Sequence, residues 1–63
     1  MMDEFDRMLD ELGWRRVDLA RRLGLAKESI SRWPRPPAYA LAYLRAMIEL
    51  KHVRDRLERL LAP

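Results

Sequence analysis

Residues 19–34, LARRLGLAKESISRWP, constrain the fold more than any other stretch of this chain. Neighbours on one face of an α-helix recur at i, i+3 and i+4. Leu19, Ala20 and Leu23 therefore share a face of one helix, and Ile30 and Trp33 share a face of another. Gly24 stands between them, where the first helix must stop, and can take the left-handed conformation that turns a chain at a helix end. Ala20 is small where two crossing helices approach closely. A longer residue at Ala20, or a β-branched one at Gly24, is expected to clash.

Similar punctuation organises the rest. A first helix is predicted from about Asp3 to Leu12, with Phe5, Met8, Leu9 and Leu12 on one face. Asp3 can cap it, and acids in its first turn suit the positive end of the helix dipole. Gly13 ends it. The second helix spans about Arg16 to Leu23 and the third about Lys27 to Trp33. Pro34 stops the third, because proline cannot donate a backbone bond and disfavours helical geometry in the residue before it. Pro36 and Pro37 lie at or just before the first turn of a fourth helix, where proline is tolerated. No breaker follows before about Leu61, so that helix is expected to run for some 24 residues. No segment reads as strand and nothing repeats. The fold class is all-α: a small four-helix domain with a long C-terminal helix.

These residues carry a family resemblance. From Gly13-Trp14 through Trp33, and again from Pro36-Pro37-Ala38-Tyr39-Ala40 to Tyr43-Leu44, the chain resembles helix-turn-helix domains of the Cro/repressor (lambda-repressor-like) type, frequent in phage and mobile-element regulators. The likeness covers residues 5 to about 48. It implies a bundle of four or five helices that binds operator DNA, usually as a dimer, with one helix in the major groove. This chain departs from the pattern in three places. Arg15 and Ala26 precede the second and third helices where Ser or Thr is usual, so both helices lack a side-chain cap, at about 1 kcal/mol each. The segment Pro34-Arg35-Pro36-Pro37 is also shorter than the usual loop.

Charge distribution points the same way. Residues 1–12 carry a net charge of −4, residues 13–35 carry +5 and the remainder +2, for a total of +3. A localised basic face suits a polyanion, because neutralising phosphates releases counterions. The alternative for such a run of arginines is a solvated surface.

The helix geometry turns Lys27, Glu28, Ser31 and Arg32 outward, since Ile30 and Trp33 point in. The resemblance adds Ala26 and implies that all five reach base edges. Arg32 can make a bidentate contact to guanine, Lys27 can contact guanine, Glu28 can accept from cytosine N4, and Ala26 can touch a thymine methyl. Phosphate contacts are expected from Arg15 and Arg16 at the start of the second helix, from Ser29, from Arg35, and from Tyr39, which can equally pack on Trp33. Of Arg21 and Arg22, one is expected near DNA. Trp14 and Trp33 read as core.

The fourth helix carries two stripes. Ala40, Leu41, Leu44, Met47 and Ile48 can pack on the first three helices. Tyr43, Ala46, Leu50, Val53, Leu57 and Leu60 form an a/d seam over about three heptads, which predicts a homodimer. The chain thus divides into a binding domain at residues 1–48 and a dimerisation segment at 49–63. The contrary expectation is a helix that frays beyond about Lys51.

There is no cysteine, one histidine (His52, read as solvated) and no apolar run of the ~18 residues that a membrane span requires. The acidic start lacks the basic region of a secretory leader, so a cytoplasmic protein of a bacterial or phage-infected cell is expected. Ser29 and Ser31 have no base beside them, and the acids of the first helix read as solvent-facing. No enzyme activity, cofactor, metal or small-molecule substrate is expected. The expected function is an autoregulatory repressor that binds an inverted repeat as a homodimer, because a chain of this length leaves little room for an effector domain. The competing expectation is a small helical module, inhibitor- or antitoxin-like, that engages a protein through its last helix.

Overall fold

The computed structural model describes residues 3–62, so Met1, Met2 and Pro63 of the two expected segments lie outside it. Among the described residues there are four helices and no strand: α1 Glu4–Leu12, α2 Arg16–Leu23, α3 Lys27–Ser31 and α4 Ala38–Leu61. None is long and apolar enough to cross a membrane.

Helix ends form by local hydrogen bonding. Asp3 caps α1, its Oδ1 accepting from the Asp6 amide at 2.8 Å. Gly13 and Gly24 both adopt φ +72°. At each, the glycine amide donates to a carbonyl three residues back, and the next amide donates five back: Trp14 to Leu9 at 2.9 Å, Leu25 to Ala20 at 2.8 Å. This double closure satisfies carbonyls that a helix end would leave bare. At Gly24 an added Cβ would meet nothing within 4 Å beyond its own chain neighbours, so the cost of a side chain there lies in the left-handed backbone. Glycine is required by the backbone dihedral alone.

The third helix is shorter than its apolar spacing predicts. It ends at Ser31, two residues before Trp33. Pro34 bars helical geometry at Trp33, and the preceding turn tightens: the Arg32 amide is shared by Glu28 and Ser29 carbonyls, and the Trp33 amide donates to Ile30 at 3.1 Å. Trp33 nevertheless turns inward. Its ring meets Phe5 at 6.1 Å and Tyr39 at 6.3 Å, both edge-on.

The core is small and draws on every helix. Phe5, Met8 and Leu9 come from α1, Leu19 and Ala20 from α2, Ile30 from α3, and Ala40 and Leu44 from α4. Leu19 and Leu44 have no exposed surface. Trp14, Leu23, Leu25, Trp33, Leu41 and Ile48 pack around this centre, half-buried. Helix α1 packs on α4 and α2 on α3. Past this body α4 continues unbroken through Lys51 to Leu61, where the Ala62 amide still donates to Glu58 at 2.9 Å. At 1.5 Å per residue, α4 is about 36 Å long, which accounts for most of the 46 Å extent of the molecule.

Removing the left-handed glycine tests the turn. Gly24→Ala should lower unfolding stability by about 1 kcal/mol, since any Cβ at φ +72° is strained, whereas Gly24→Asn should lose less because Asn tolerates this region. Urea titration followed by circular dichroism would measure both. A loss well beyond 2 kcal/mol for Ala would mean that a neighbour, not the dihedral, dictates glycine.

Candidate nucleic-acid interface

The five residues expected to reach base edges are all exposed, on α3 and at its two ends. Ala26, extended at φ −71°, ψ 147°, precedes α3. Lys27, Glu28 and Ser31 lie on α3, and Arg32 closes it; all five are exposed. Ile30 turns into the core and Ser29 is half-buried between the two faces. Arg35 follows in the bend between Pro34 and Pro36 and is exposed. Tyr39, in the first turn of α4, keeps both expected properties: its ring packs on Trp33, yet it remains 55% exposed.

The charged side chains of this α3 strip stand outside the ion pairs of the structure. Among the described residues, Lys27, Glu28, Arg32 and Arg35 have no ion-pair partner. Most basic side chains elsewhere are engaged. Arg16 Nη2 lies 2.9 Å from Asp6 Oδ1, with its guanidinium 5.5 Å from the Phe5 ring. Arg45 Nη2 meets Glu4 Oε1 at 2.9 Å, and His52 Nε2 meets Glu11 Oε1 at 3.1 Å. Three acids of α1 expected to face solvent therefore tie α1 to α2 and α4, and His52 is not simply solvated. Exposed pairs of this kind contribute little stability each. They offset part of the charge on α2 and α4, where Arg21, Arg54, Arg56 and Arg59 still stand without an ion pair among the described residues.

The start of α2 differs from expectation in one respect. Arg15 and Arg16 are present and exposed, but an anion already occupies the helix end. Asp18 Oδ2 accepts from the Arg15 amide at 2.8 Å and lies 3.6 Å from Arg15 Nε. Arg15 offers no side-chain cap, as its residue type dictates, and Asp18 fills half of a capping box from the third helical position. An Asp three residues after the cap position was the signal in the sequence. Of the two arginines in the last turn of α2, Arg22 stacks over the Trp14 ring at 4.2 Å, while Arg21 is exposed without an ion pair among the described residues.

The Arg15 amide bond holds the Asp18 carboxyl below its ordinary value of 3.8; partial burial opposes the shift, and the charges of Arg15 and Arg21 add to it. A group that ionises more readily folded than unfolded contributes stability above the unfolded value. That contribution is lost as pH falls through the folded value.

No family model matches the chain, and no curated protein or solved structure matches it.

Asp18→Asn should lower the melting temperature at pH 7. Its difference from the parent should close as pH drops below about 3.8. A constant difference from pH 7 to pH 2 would show that the Asp18 charge is not what stabilises the start of α2.

Proposed function

We propose that this chain is a sequence-specific double-stranded DNA-binding regulator of helix-turn-helix type, in which α2 and α3 are the two motif helices and α3 enters the major groove. One observation carries the reading: α3 and the bend after it present basic and polar side chains that are exposed and without internal ion pairs, on a helix whose other face is locked into the core by Ile30. Side chains already neutralised within the protein must exchange one partner for another to bind phosphate, whereas those of α3 need not. Arg32 is assigned bidentate contact to guanine, with Lys27, Glu28, Ser31 and Ala26 on adjoining base edges. Arg35, Tyr39 and Ser29 are assigned phosphates beside the groove, where contacts position the protein without reading sequence. Arg15 and Arg16 are assigned a weaker share, because a phosphate there competes with Asp18 and Asp6.

The regulator acts as a homodimer through α4. Leu50, Val53, Leu57 and Leu60 are exposed along one stripe, a liability in a monomer. Tyr43 is partly drawn into its own domain, its ring 6.2 Å from that of Trp14, and Ala46 is exposed between. A two-fold dimer offers two recognition helices to half-sites about 34 Å apart, the repeat of one DNA turn, and repression follows from occupying the operator.

Selection of bound duplexes from a random library at ~150 mM salt should enrich a palindrome. On the selected site, Arg32→Ala should cost about 1–3 kcal/mol and relax preference at one base position per half-site. Arg35→Ala should weaken all sequences alike and reduce the log–log salt slope by about 0.9. The double substitution Leu50→Glu, Leu57→Glu should abolish the dimer and weaken binding. Unchanged affinity and base preference in Arg32→Ala would reject the assignment of α3, and no enrichment at all would reject the DNA reading in favour of a protein partner for α4.

A further inference from the structure

The exposed half of α4 does not stand alone. Leu50, Val53 and Leu57 of α4 line an open cleft of about 440 Å³ together with Met47, Leu12 and Trp14. Arg22, stacked on Trp14, lines the same cleft. Lys51 and Arg54 also line it, and a mainly apolar cleft bordered by the stripe of a projecting helix suits another helix laid along that stripe.

We infer that the occupant is α4 of a second copy, running antiparallel. This rests on the dimer of the proposed function and adds its geometry. Three observations favour the direction. The first is side-chain size. In antiparallel register each a position faces a d position, so Tyr43 meets the partner's Leu60, Ala46 meets the partner's Leu57 and Leu50 meets the partner's Val53. Small faces large at the Ala46 layers, as close packing requires. A parallel pair would instead set Ala46 on Ala46 and Tyr43 on Tyr43, leaving a gap beside a crowd.

The second is charge. Glu49 and Arg56 flank the seam, are exposed, and have no ion-pair partner among the described residues. Antiparallel pairing sets Glu49 beside the partner's Arg56 on either side of the centre of the interface. In parallel register Glu49 meets the partner's Arg54, but Arg56 falls against the partner's Leu61. The third is the cleft itself. An antiparallel partner carries its Leu57, Leu60 and Leu61 back toward Ala46 and Tyr43, and so against Trp14. Leu60 and Leu61 are 75% and 82% exposed in the single chain, and a parallel partner leaves them at the far tip, away from Trp14.

The arrangement also sets a length. Tyr43 of one subunit lies level with the partner's Leu60, so the two Tyr43 residues are separated along the helices by 17 residues of rise, about 25 Å. With the interaxial distance of roughly 8–10 Å and the width of the bodies, the two α2–α3 units stand apart on the scale of one DNA turn.

Because the chain has no cysteine, directed disulfides read the direction. Ala46→Cys mixed with Leu57→Cys should give a mixed disulfide dimer under mild oxidation. Ala46→Cys alone should give none, as its two copies would lie about 16 Å apart along the helices. Independently, Glu49→Arg should raise the dimer dissociation constant about tenfold, and adding Arg56→Glu should restore it. Three results overturn the inference. A disulfide dimer of Ala46→Cys alone, or no rescue by the double charge reversal, rejects the antiparallel direction while leaving DNA binding and dimerisation standing. A monomer at about 100 µM by sedimentation equilibrium rejects the interface altogether. The DNA reading then survives only if the library selection enriches a single half-site in place of a palindrome.

Discussion

Three of the four helices are too short to exist without the fourth. Helices α1, α2 and α3 have nine, eight and five residues, below the ~12–15 at which isolated helices become even marginal in water. Their stability therefore comes from burying apolar faces in one cluster, to which α4 contributes Leu44 without exposed surface. The α3 strip depends on this most. A five-residue helix holds its polar face in place only because Ile30 is buried behind it and Trp33, just past its end, is wedged between Phe5 and Tyr39.

The same contacts sort the charges. Acids gathered on α1 meet basic groups from α2 and α4, with Glu4–Arg45 and Glu11–His52 each bridging 41 residues of sequence. Residues 13–35 carry a net +5 in the sequence, but Arg16 faces Asp6, Arg15 faces Asp18 and Arg22 lies over an indole. Within residues 13–35, Lys27, Arg32 and Arg35 of α3 and the bend after it remain without an ion pair among the described residues, as does Arg21 on α2. In the proposed reading that remainder is the binding surface, and the acidic first helix serves to confine it.

What the sequence revealed and what it hid follow from the range of the interactions. Helix ends at Gly13 and Gly24, the Asp3 cap and the length of α4 depend on residues within one turn, and all were legible. So was the inward set Leu19, Ala20, Ile30 and Leu44, since helical periodicity alone selects it. The early end of α3 was missed because apolar spacing continues to Trp33 while proline geometry acts two residues earlier. The pairing of the α1 acids was not readable, because it depends on how α1 is rotated against α4, and that rotation is set by the whole core. Tyr43 shows the same limit. Heptad spacing assigns it to the seam, but a tertiary contact with Trp14 draws its ring partly into the body. The groove assignments of Ala26, Lys27, Glu28, Ser31 and Arg32 combine helix geometry with a family resemblance. Exposure of all five is compatible with that role without selecting the ligand.

Helix α4 places folding and the proposed assembly on one rigid element. Its first half completes the core through Ala40 and Leu44; its second half carries an apolar stripe that is exposed. A core of eight buried hydrophobic residues is near the lower limit for an independent domain. Anything that binds the native state and not the unfolded chain adds stability by mass action. In the proposed reading, a second copy seated on the α4 stripe would be such a ligand, and so would an operator that holds two copies together. In the proposed dimer, self-association, core stability and DNA affinity are then linked through α4. Substitutions in the seam would act on operator binding from a distance, by changing how much of the chain is folded and paired rather than what α3 touches.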